Sequence, residues 1–366
     1  MSKEKKEFTF IDLFAGIGGF HIAMHEAGGK CVFASEIDKF ARMTYEHNFR
    51  KISPELFKNG NFNEDITKMD YSKIPDFDVL CAGFPCQPFS HAGLKNGFDD
   101  TRGTLFFNIK EIIRTKCEYH LKQGNTSKIP SIIILENVKG FKNHDKGKTY
   151  RVVCETLDEL GYEVKSDILN SKNFGLPQNR ERIFIVAWYR DKFALSSEDF
   201  NLPVGLTEDN QPIFSKSMVN LLSQKTFVGD ILLSENELRI KENKYNKTYT
   251  LSERLWLGHQ RRKQEHMRKG NGFGYSLFNS KSHYTSTISA RYYKDGSEIL
   301  IDQSNIENER PRKLHPIEAA RLQGFPIDDW FDIPVSDNQA YKQFGNSVSI
   351  PVVRTLASTI LKQFIK

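Results

Sequence analysis

The sequence has no long apolar run, no zinc-type cysteine spacing and no internal repeat, and each absence excludes a class of protein. No apolar stretch approaches the roughly 20 residues that a membrane-spanning helix needs. The charged start, MSKEKKEFTF, is not followed by the apolar core of a secretion signal. The five cysteines are an odd number, and none are spaced as zinc ligands. We therefore expect a cytoplasmic protein with free thiols, no metal site and no membrane contact.

The composition is otherwise that of a globular protein. Of the 366 residues, 27% are charged and 39% are hydrophobic, and a chain of this length predicts two domains. The net charge of +6 is modest, but residues 261–269 hold five basic residues against one acid, histidine not counted. This stretch suits either contact with a phosphate backbone or an ordinary solvated helix face.

Residues 8–190 alternate short apolar runs with helical patterns. Predicted strands cover residues 8–14, 31–35, 78–82, 131–135 and 182–188. Predicted helices between them cover residues 20–27, 39–48, 105–116 and 150–160. This alternation predicts an α/β fold with a parallel sheet covered on both faces, whose ligand crevice lies beyond the carboxyl ends of the strands.

The alternation stops near residue 191. Residues 191–311 are polar and irregular, and they predict a second, smaller domain of loops and short strands. Helical patterns return at 316–323 and 349–363.

Two short motifs follow predicted strands and suggest covalent chemistry. Cys86, in Phe84-Pro85-Cys86-Gln87, lies just past a strand end, where a thiol is placed as a nucleophile. Glu136, in a Glu-Asn pair, follows the next apolar strand. A thiol that attacks a ring carbon, with a carboxyl group that protonates a ring nitrogen, suits a reaction on a pyrimidine.

Three features predict an adenosine-containing cofactor. A glycine turn, Phe14-Ala15-Gly16-Ile17-Gly18-Gly19, links a strand to a helix and exposes backbone amides to an anionic group. Glu36 ends the next strand, where an acid accepts hydrogen bonds from ribose hydroxyls. Asp65 suits an adenine amino group or, alternatively, a helix N-cap. The turn lacks the third glycine of the dinucleotide fingerprint, which favours S-adenosylmethionine and leaves NAD as the competitor.

Six motifs in order resemble those of the bacterial DNA (cytosine-5)-methyltransferases of type II restriction–modification systems. They are residues 10–20, 83–90, 136–138, 178–182, 312–326 and 343–348. The resemblance covers nearly the whole chain and implies an S-adenosylmethionine-dependent, Rossmann-like sheet domain with an irregular mixed or β target-recognition domain. Residues 1–190 and 344–366 would form the catalytic domain, 191–311 the recognition domain and 312–343 the hinge.

The resemblance also implies roles for four catalytic residues. Cys86 would add to cytosine C6, and Glu136 would engage N3 and the amino group. Arg182 would contact the target base and Arg180 would organise the site, with a structural ion pair to Glu136 or Glu181 as the alternative for both. The product of the cofactor would be S-adenosylhomocysteine.

Binding residues follow from the same motifs. The implied cofactor set is Phe14, Ala15, Gly16, Gly18, Gly19, Glu36, Ile37, Asp65, Ile66, Pro85, Leu105, Asn346, Ser347 and Val348. The DNA-binding candidates are Gln87, Ser90, Arg102, Thr287, Ile288 and Arg291. For Ser90 the alternative is a local turn bond, and for Arg291 the alternatives are packing or a phosphate contact.

Double-stranded DNA is the expected partner, bound by a bacterial, nucleoid-associated monomer that needs no stable protein partner. A short palindromic motif with an internal cytosine is the expected substrate, modified to protect host DNA from a cognate endonuclease. Three other functions stay open: a tRNA cytosine-5 methyltransferase, a catalytically silent DNA-binding protein and a nicotinamide-dependent oxidoreductase. An assay for the reaction product distinguishes these functions, because only the expected enzyme would produce methylated DNA.

Overall fold

A seven-stranded sheet forms the centre of the chain. The computed structural model describes residues 7–85, 105–304 and 310–364. The strand order is β3-β2-β1-β4-β5-β7-β6. The strands are β1 (Phe8–Leu13), β2 (Gly29–Ser35), β3 (Phe62–Asn63), β4 (Val79–Gly83), β5 (Ile132–Val138), β6 (Tyr162–Asn170) and β7 (Glu181–Tyr189). Four two-residue strands lie outside this sheet: β8 (Gly205–Leu206), β9 (Pro212–Ile213), β10 (Leu277–Phe278) and β11 (Leu300–Ile301).

The α-helices of the described residues lie between and after these strands. They are α1 (Gly19–Glu26), α2 (Lys39–Phe49), α3 (Pro54–Lys58), α4 (Leu105–Lys122), α5 (Lys148–Glu159), α6 (Lys216–Leu222), α7 (Glu235–Tyr245), α8 (Glu253–Arg268), α9 (Pro316–Gln323), α10 (Asp337–Asn346) and α11 (Ile350–Phe364). None of the helices in these ranges combines the length and the apolar composition that a bilayer span requires.

Side chains alternate between the two faces of the sheet, and each face has its own core. On β5, Ile132 and Ile134 belong to one core, whereas Ile133 and Leu135 belong to the other. Helices α1 and α11 cover the first face, and α4 and α5 cover the second. The period of two in an otherwise uniformly apolar strand is what a sheet buried on both sides requires.

The predicted parallel sheet is correct for β1 to β5, but β7 runs antiparallel to both of its neighbours. Val138 at the end of β5 therefore pairs with Arg182 at the start of β7. The sequence patterns also missed β3 and the edge strand β6. The direction of β7 brings residues 181–182 to the same edge as the carboxyl ends of the parallel strands.

Residues after 190 continue the core of the first face. Val204, Ile231 and Leu314 belong to the same buried cluster as Phe10 on β1. This core crosses the predicted domain boundaries, and the division into catalytic, recognition and hinge segments stays a prediction. The segment also carries more helix than predicted, in α6, α7 and α8.

Candidate active site

The carboxyl ends of the parallel strands enclose a cavity of about 450 Å³. Its wall combines segments from both ends of the chain. Thirteen of the predicted catalytic and cofactor residues that the structure describes lie there. The cofactor candidates among them are Phe14, Gly16, Glu36, Ile37, Asp65, Ile66, Pro85, Leu105, Asn346 and Ser347; the catalytic candidates are Glu136, Arg180 and Arg182.

The glycine turn after β1 lines the cavity, and its backbone is left-handed at three positions. Phe14 has a φ of 57°, Gly16 of 56° and Gly18 of 84°, all in the left-handed region. A Cβ built on Gly16 meets nothing within 4 Å, so its backbone faces open space. A Cβ on Gly18 would lie 2.2 Å from the Phe49 ring, so this position needs glycine for packing. The predicted cofactor residues Ala15, Gly18 and Gly19 are not among the residues that line the cavity.

The Glu36 carboxylate links the N-terminus of α2 to the glycine turn. Its Oε2 accepts a hydrogen bond from Gly16 N (2.8 Å), and its Oε1 accepts one from Asp38 N (2.7 Å). Burial raises the pKa of the carboxyl group, and the two backbone amides lower it by less. Each oxygen retains a lone pair for a further donor, which suits the two hydroxyls of a ribose.

Asp65 caps a short 3₁₀ turn that follows β3. Its Oδ1 accepts from Thr67 N (3.0 Å) and Thr67 Oγ1 (2.6 Å), and its Oδ2 lies 3.1 Å from Lys68 Nζ. These hydrogen bonds, from Thr67 first, lower the pKa of the carboxyl group. Asp65 is thus an N-cap that also lines the cavity, and its contact with an adenine amino group stays a prediction.

The far end of the chain completes the wall. Asn346 and Ser347 line the cavity, whereas Val348 lies behind it, where a Cβ on Gly19 would approach its Cγ2 to 2.7 Å. The Nζ of Lys342 on α10 lies 2.6 Å from the Oδ2 of Asp38, and this ion pair joins α10 to the N-terminus of α2.

Buried Glu136 and partly buried Arg182 form an ion pair in the cavity. The Arg182 Nε lies 3.2 Å from the Glu136 Oε1, and Arg182 Nη1 donates to the Glu181 carbonyl (2.9 Å). Burial raises the pKa of Glu136, opposed first by Arg182 and then by Arg180. The Glu136 Oε2 faces Gly83 at the end of β4, 3.7 Å from a Cβ built there. A buried carboxyl group with a raised pKa suits proton donation.

Arg180 is fully buried and bonds to three backbone carbonyls instead of an acid. Its Nη1 donates to Ile288 O (3.1 Å), and its Nη2 donates to Gly345 O (3.1 Å) and Ser347 O (2.7 Å). Burial lowers the pKa of the guanidinium to about 9, helped by Arg182. The arrangement matches an organising role better than an ion pair, because it joins the chain end to the segment around residue 288.

The predicted catalytic loop is described only at its two ends. Asn137 Nδ2 donates to Phe84 O (2.9 Å) and fixes the backbone just before Pro85. Leu105, the first residue of α4, lines the cavity on the other side. The predicted site residues Cys86, Gln87, Ser90 and Arg102 lie outside the described residues.

The DNA-binding candidates near residue 290 occupy different environments. Thr287 Oγ1 donates to Asn179 O (2.7 Å), and Arg291 is exposed. Ile288 is completely buried, and its side chain therefore offers no surface to a base in this structure. The basic stretch 261–269 forms the exposed end of α8, where Arg262 pairs with Asp295 at 3.1 Å.

Sequence reasoning missed further wall residues. They are Ile17, Ser35, Asp38, Ala41, Glu64, Thr67, Gly83, Phe84, Asn137, Val138, Lys342, Gln343 and Gly345. Most adjoin a predicted residue, so the motifs that identified their neighbours already contained the signal. Lys342 precedes the last motif and carried no signal of its own.

Comparisons with known proteins agree with this geometry. Residues 8–362 match the family model described as C-5 cytosine-specific DNA methylase. The chain is 49% identical over 352 residues to Type II methyltransferase M.NlaX of Neisseria lactamica, covering 96% of this chain and 95% of that protein. It is 48% identical over 362 residues to Type II methyltransferase M.SsoII of Shigella sonnei, covering 98% and 82%.

The same fold occurs in solved structures. The Dnmt2 methyltransferase of S. pombe superposes with a TM-score of 0.65 at 20% identity, covering 98% of this chain and 99% of that one. The family model and the relatives, together with the strand-end cavity, show that the chain belongs to the C-5 cytosine-specific DNA methylases and is a DNA (cytosine-5)-methyltransferase of the type II restriction–modification kind.

Proposed function

We propose that the chain transfers a methyl group from S-adenosylmethionine to C5 of a cytosine in a short motif of double-stranded DNA, through a covalent bond between Cys86 and C6. The observation that carries this proposal is the ion pair between buried Glu136 and partly buried Arg182. It lies beside the end of β4, and Cys86 follows that strand directly after Pro85.

The cavity residues fit S-adenosylmethionine, which supplies an electrophilic methyl group when bound. Glu36 would accept from the ribose hydroxyls with the lone pairs that Gly16 N and Asp38 N leave free. Asp65 would accept from the adenine amino group, and the amides of the glycine turn would hold the methionine carboxylate. A cavity of about 450 Å³ is large enough for such a ligand.

Glu136 and Cys86 would act on opposite parts of the cytosine ring. The Cys86 thiolate forms a bond to C6 while Glu136 donates a proton to N3, so that the electron pair of the C5–C6 bond becomes available at C5. After methylation, C5 loses its proton and the bond to Cys86 breaks, which restores the aromatic ring. Arg182 would hold the Glu136 carboxyl in position and contact the base.

The target cytosine must leave the duplex to reach this pair, since a stacked base is inaccessible to Cys86. Gln87, Ser90 and Arg102 from the catalytic loop would contact the extruded nucleotide and its phosphates. Thr287 and Arg291 would contact DNA from the other side, and the basic end of α8 would bind phosphate.

The relatives named type II methyltransferases support a protective role against a cognate endonuclease. We expect the enzyme to act as a monomer on a palindromic motif, because each strand can be modified in a separate encounter. Size-exclusion chromatography with light scattering measures the oligomeric state directly.

The test uses S-adenosylmethionine with a labelled methyl group, unmethylated plasmid DNA and, separately, tRNA. Bisulfite sequencing then locates the modified cytosines. The proposal predicts label in DNA at one recurring motif; label in tRNA alone, or in neither, would overturn it.

A matched set of variants tests the covalent step. Cys86→Ala should abolish transfer, whereas Cys154→Ala, which removes a half-buried thiol on α5, should retain it. Duplex containing 5-fluorocytosine should trap the wild-type protein in a covalent complex, because fluorine at C5 cannot leave as a proton does. Transfer by Cys86→Ala would contradict the mechanism.

A further inference from the structure

Both backbone polar groups of Ile288 are held by side chains from the segment that carries Arg182. The Gln178 Oε1 accepts a hydrogen bond from Ile288 N (3.0 Å), and Arg180 Nη1 donates to Ile288 O (3.1 Å). Gln178 and Ile288 are fully buried, so water does not compete for these bonds. The peptide at residue 288 is therefore clamped from both sides.

The clamp extends along residues 285–289, which we call the strap. Thr285 forms a parallel bridge with Gln178, in which Thr285 N donates to Pro177 O (2.8 Å) and Asn179 N donates to Thr285 O (2.9 Å). Thr287 Oγ1 donates to Asn179 O (2.7 Å). The strap thus moves with residues 177–180 as one unit.

Gln178 also reaches the cavity wall through a second buried glutamine. Its Nε2 donates to Leu322 O (3.0 Å) and lies 3.4 Å from the Gln323 Oε1. Gln323 Nε2 in turn donates to Phe344 O (2.7 Å), next to the wall residue Gly345. The two glutamines share one network, but only Gln178 bonds to the strap.

Two residues that flank the strap are exposed. Tyr284, which precedes it, is exposed and lies under the Lys172 ammonium at 4.6 Å from the ring centre. Arg291, shortly after it, is exposed as well. These side chains are available to a duplex, while the backbone between them is bound to the catalytic arginine segment.

We infer that Gln178 is a positioning residue that couples sequence reading by the residues that flank the strap to the Glu136–Arg182 pair. The inference rests on the proposed methylation of DNA. A duplex with the correct sequence leaves the strap in place and keeps residues 178–182 aligned. A duplex that displaces the strap pulls Ile288 N–H away from Gln178, and Arg182, four residues further along, loses its position against Glu136.

Gln178→Met tests the coupling, because methionine matches the length of glutamine and lacks both polar atoms. Gln323→Met is the matched control, a fully buried glutamine of the same network without a bond to the strap. For each variant, bisulfite sequencing measures methylation at the wild-type motif and at sites that differ from it by one base. Steady-state kinetics give kcat and the KM values for DNA and S-adenosylmethionine.

The expected result is specific to DNA. Gln178→Met should lower the ratio of motif to off-motif methylation by about tenfold, the effect of one buried hydrogen bond. It should raise the KM for DNA and leave the KM for S-adenosylmethionine unchanged. Gln323→Met should lower the thermal stability by a similar amount but leave the ratio of motif to off-motif methylation unchanged. The inference would be overturned if Gln178→Met lowered only the fraction of active enzyme and left both the ratio of motif to off-motif methylation and the KM for DNA unchanged.

Hydrogen exchange on the wild-type protein answers the question without a variant, should Gln178→Met fail to fold. Binding of motif DNA should slow amide exchange in the peptides covering residues 285–289 and in those covering residues 178–182. DNA without the motif should slow exchange less in both. Protection of the strap alone would contradict the coupling. Wild-type protein that methylates no DNA would refute the proposed function instead, so the two failures are distinguishable.

Discussion

Arg182 at the start of β7 meets Glu136 near the end of β5 because the two strands are antiparallel. The Nε of Arg182 lies 3.2 Å from the Oε1 of Glu136, and the backbone register pairs Arg182 with Val138. In a parallel arrangement the start of β7 would lie at the opposite edge of the sheet, about 27 Å away for a strand of nine residues. The proposed catalytic pair therefore depends on one reversal of strand direction.

Replacing Glu136 with glutamine should lower the rate of methyl transfer about 100-fold or more, since an amide cannot donate a proton to N3 in the way that the acid can. Burial raises the pKa of Glu136, so its acid form persists above the usual range of a glutamate. The wild-type rate should fall as pH rises through this raised pKa, and Glu136→Gln should lack that fall. A pH series of initial rates measures both effects.

Glu181→Gln is the control for this variant, because Glu181 is the neighbour of Arg182 and pairs with Lys139 outside the site (2.8 Å). It should keep the wild-type rate and pH profile. A Glu136→Gln enzyme with an unchanged profile would refute the proton-donating role.

Glu36→Gln should weaken cofactor binding without altering the DNA motif. Glutamine offers one acceptor oxygen, so its NH₂ group must face the Gly16 or the Asp38 N–H, both of which donate to Glu36 in the wild type. Loss of a charged hydrogen bond predicts a roughly 10- to 100-fold higher KM for S-adenosylmethionine. Glu55→Gln, on the surface of α3, should change nothing; an unchanged KM in Glu36→Gln would remove Glu36 from the cofactor site.

The same residue predicts a pH dependence of cofactor binding. Burial raises the pKa of Glu36, so its carboxylate becomes protonated at a higher pH than an ordinary glutamate does. Cofactor affinity in the wild type should therefore fall as pH drops through this raised pKa. Calorimetric titrations at several pH values measure the fall, which Glu36→Gln should not show.

Glu318→Ala should be strongly destabilising, because it leaves a buried arginine without its partner. The Glu318 oxygens accept from Arg312 Nη1 (2.7 Å) and Nη2 (2.8 Å), as well as from His315 N and Leu233 N. Breaking such a buried pair lowers the free energy of unfolding by about 3–5 kcal/mol. Urea denaturation measures the change.

Glu118→Ala serves as the comparison, since Glu118 pairs with Arg114 at 3.2 Å on the exposed side of α4. It should lower the free energy of unfolding by less than about 1 kcal/mol. Equal losses in the two variants would mean that the buried pair contributes no more than a surface pair.

Two glycines should respond in opposite ways to alanine. A Cβ on Gly345 would lie 2.3 Å from the Ser289 backbone, which cannot rotate away, so Gly345→Ala should cost about 1–3 kcal/mol. A Cβ on Gly258 within α8 meets nothing within 4 Å, and Gly258→Ala should stabilise by about 0.5–1 kcal/mol. Thermal unfolding compares them, and a stable Gly345→Ala protein would contradict the close approach of the strap.

Local sequence patterns were sufficient for most of the sheet but not for its edges. The strand predicted at 8–14 forms as Phe8–Leu13, and it stops there because Phe14 turns into the left-handed region. β3 was missed because two residues carry no pattern, and β6 because its side chains are mostly half-buried on an edge. The direction of β7 could not be predicted from the sequence, since the same residues would suit a parallel or an antiparallel strand.

The helices after residue 190 were missed for a related reason. On α8 only His259 is buried, so the helix has almost no apolar stripe for a periodic pattern to reveal. The site was predicted best where one motif supplies adjacent residues, as at Glu36 and Ile37. Gln178 was quoted only as part of a motif, because its role depends on Ile288 and Leu322, more than 100 residues away.

The order in which the chain is synthesised has a consequence for the cavity. Phe14 and Gly16 are translated long before Asn346 and Ser347, which line the same cavity. Helix α11, which follows them, covers the same face of the sheet as α1. A nascent chain that has not yet been translated through Ser347 therefore lacks one wall of the cavity. That wall is completed only when residues 346 and 347 have been added to the chain.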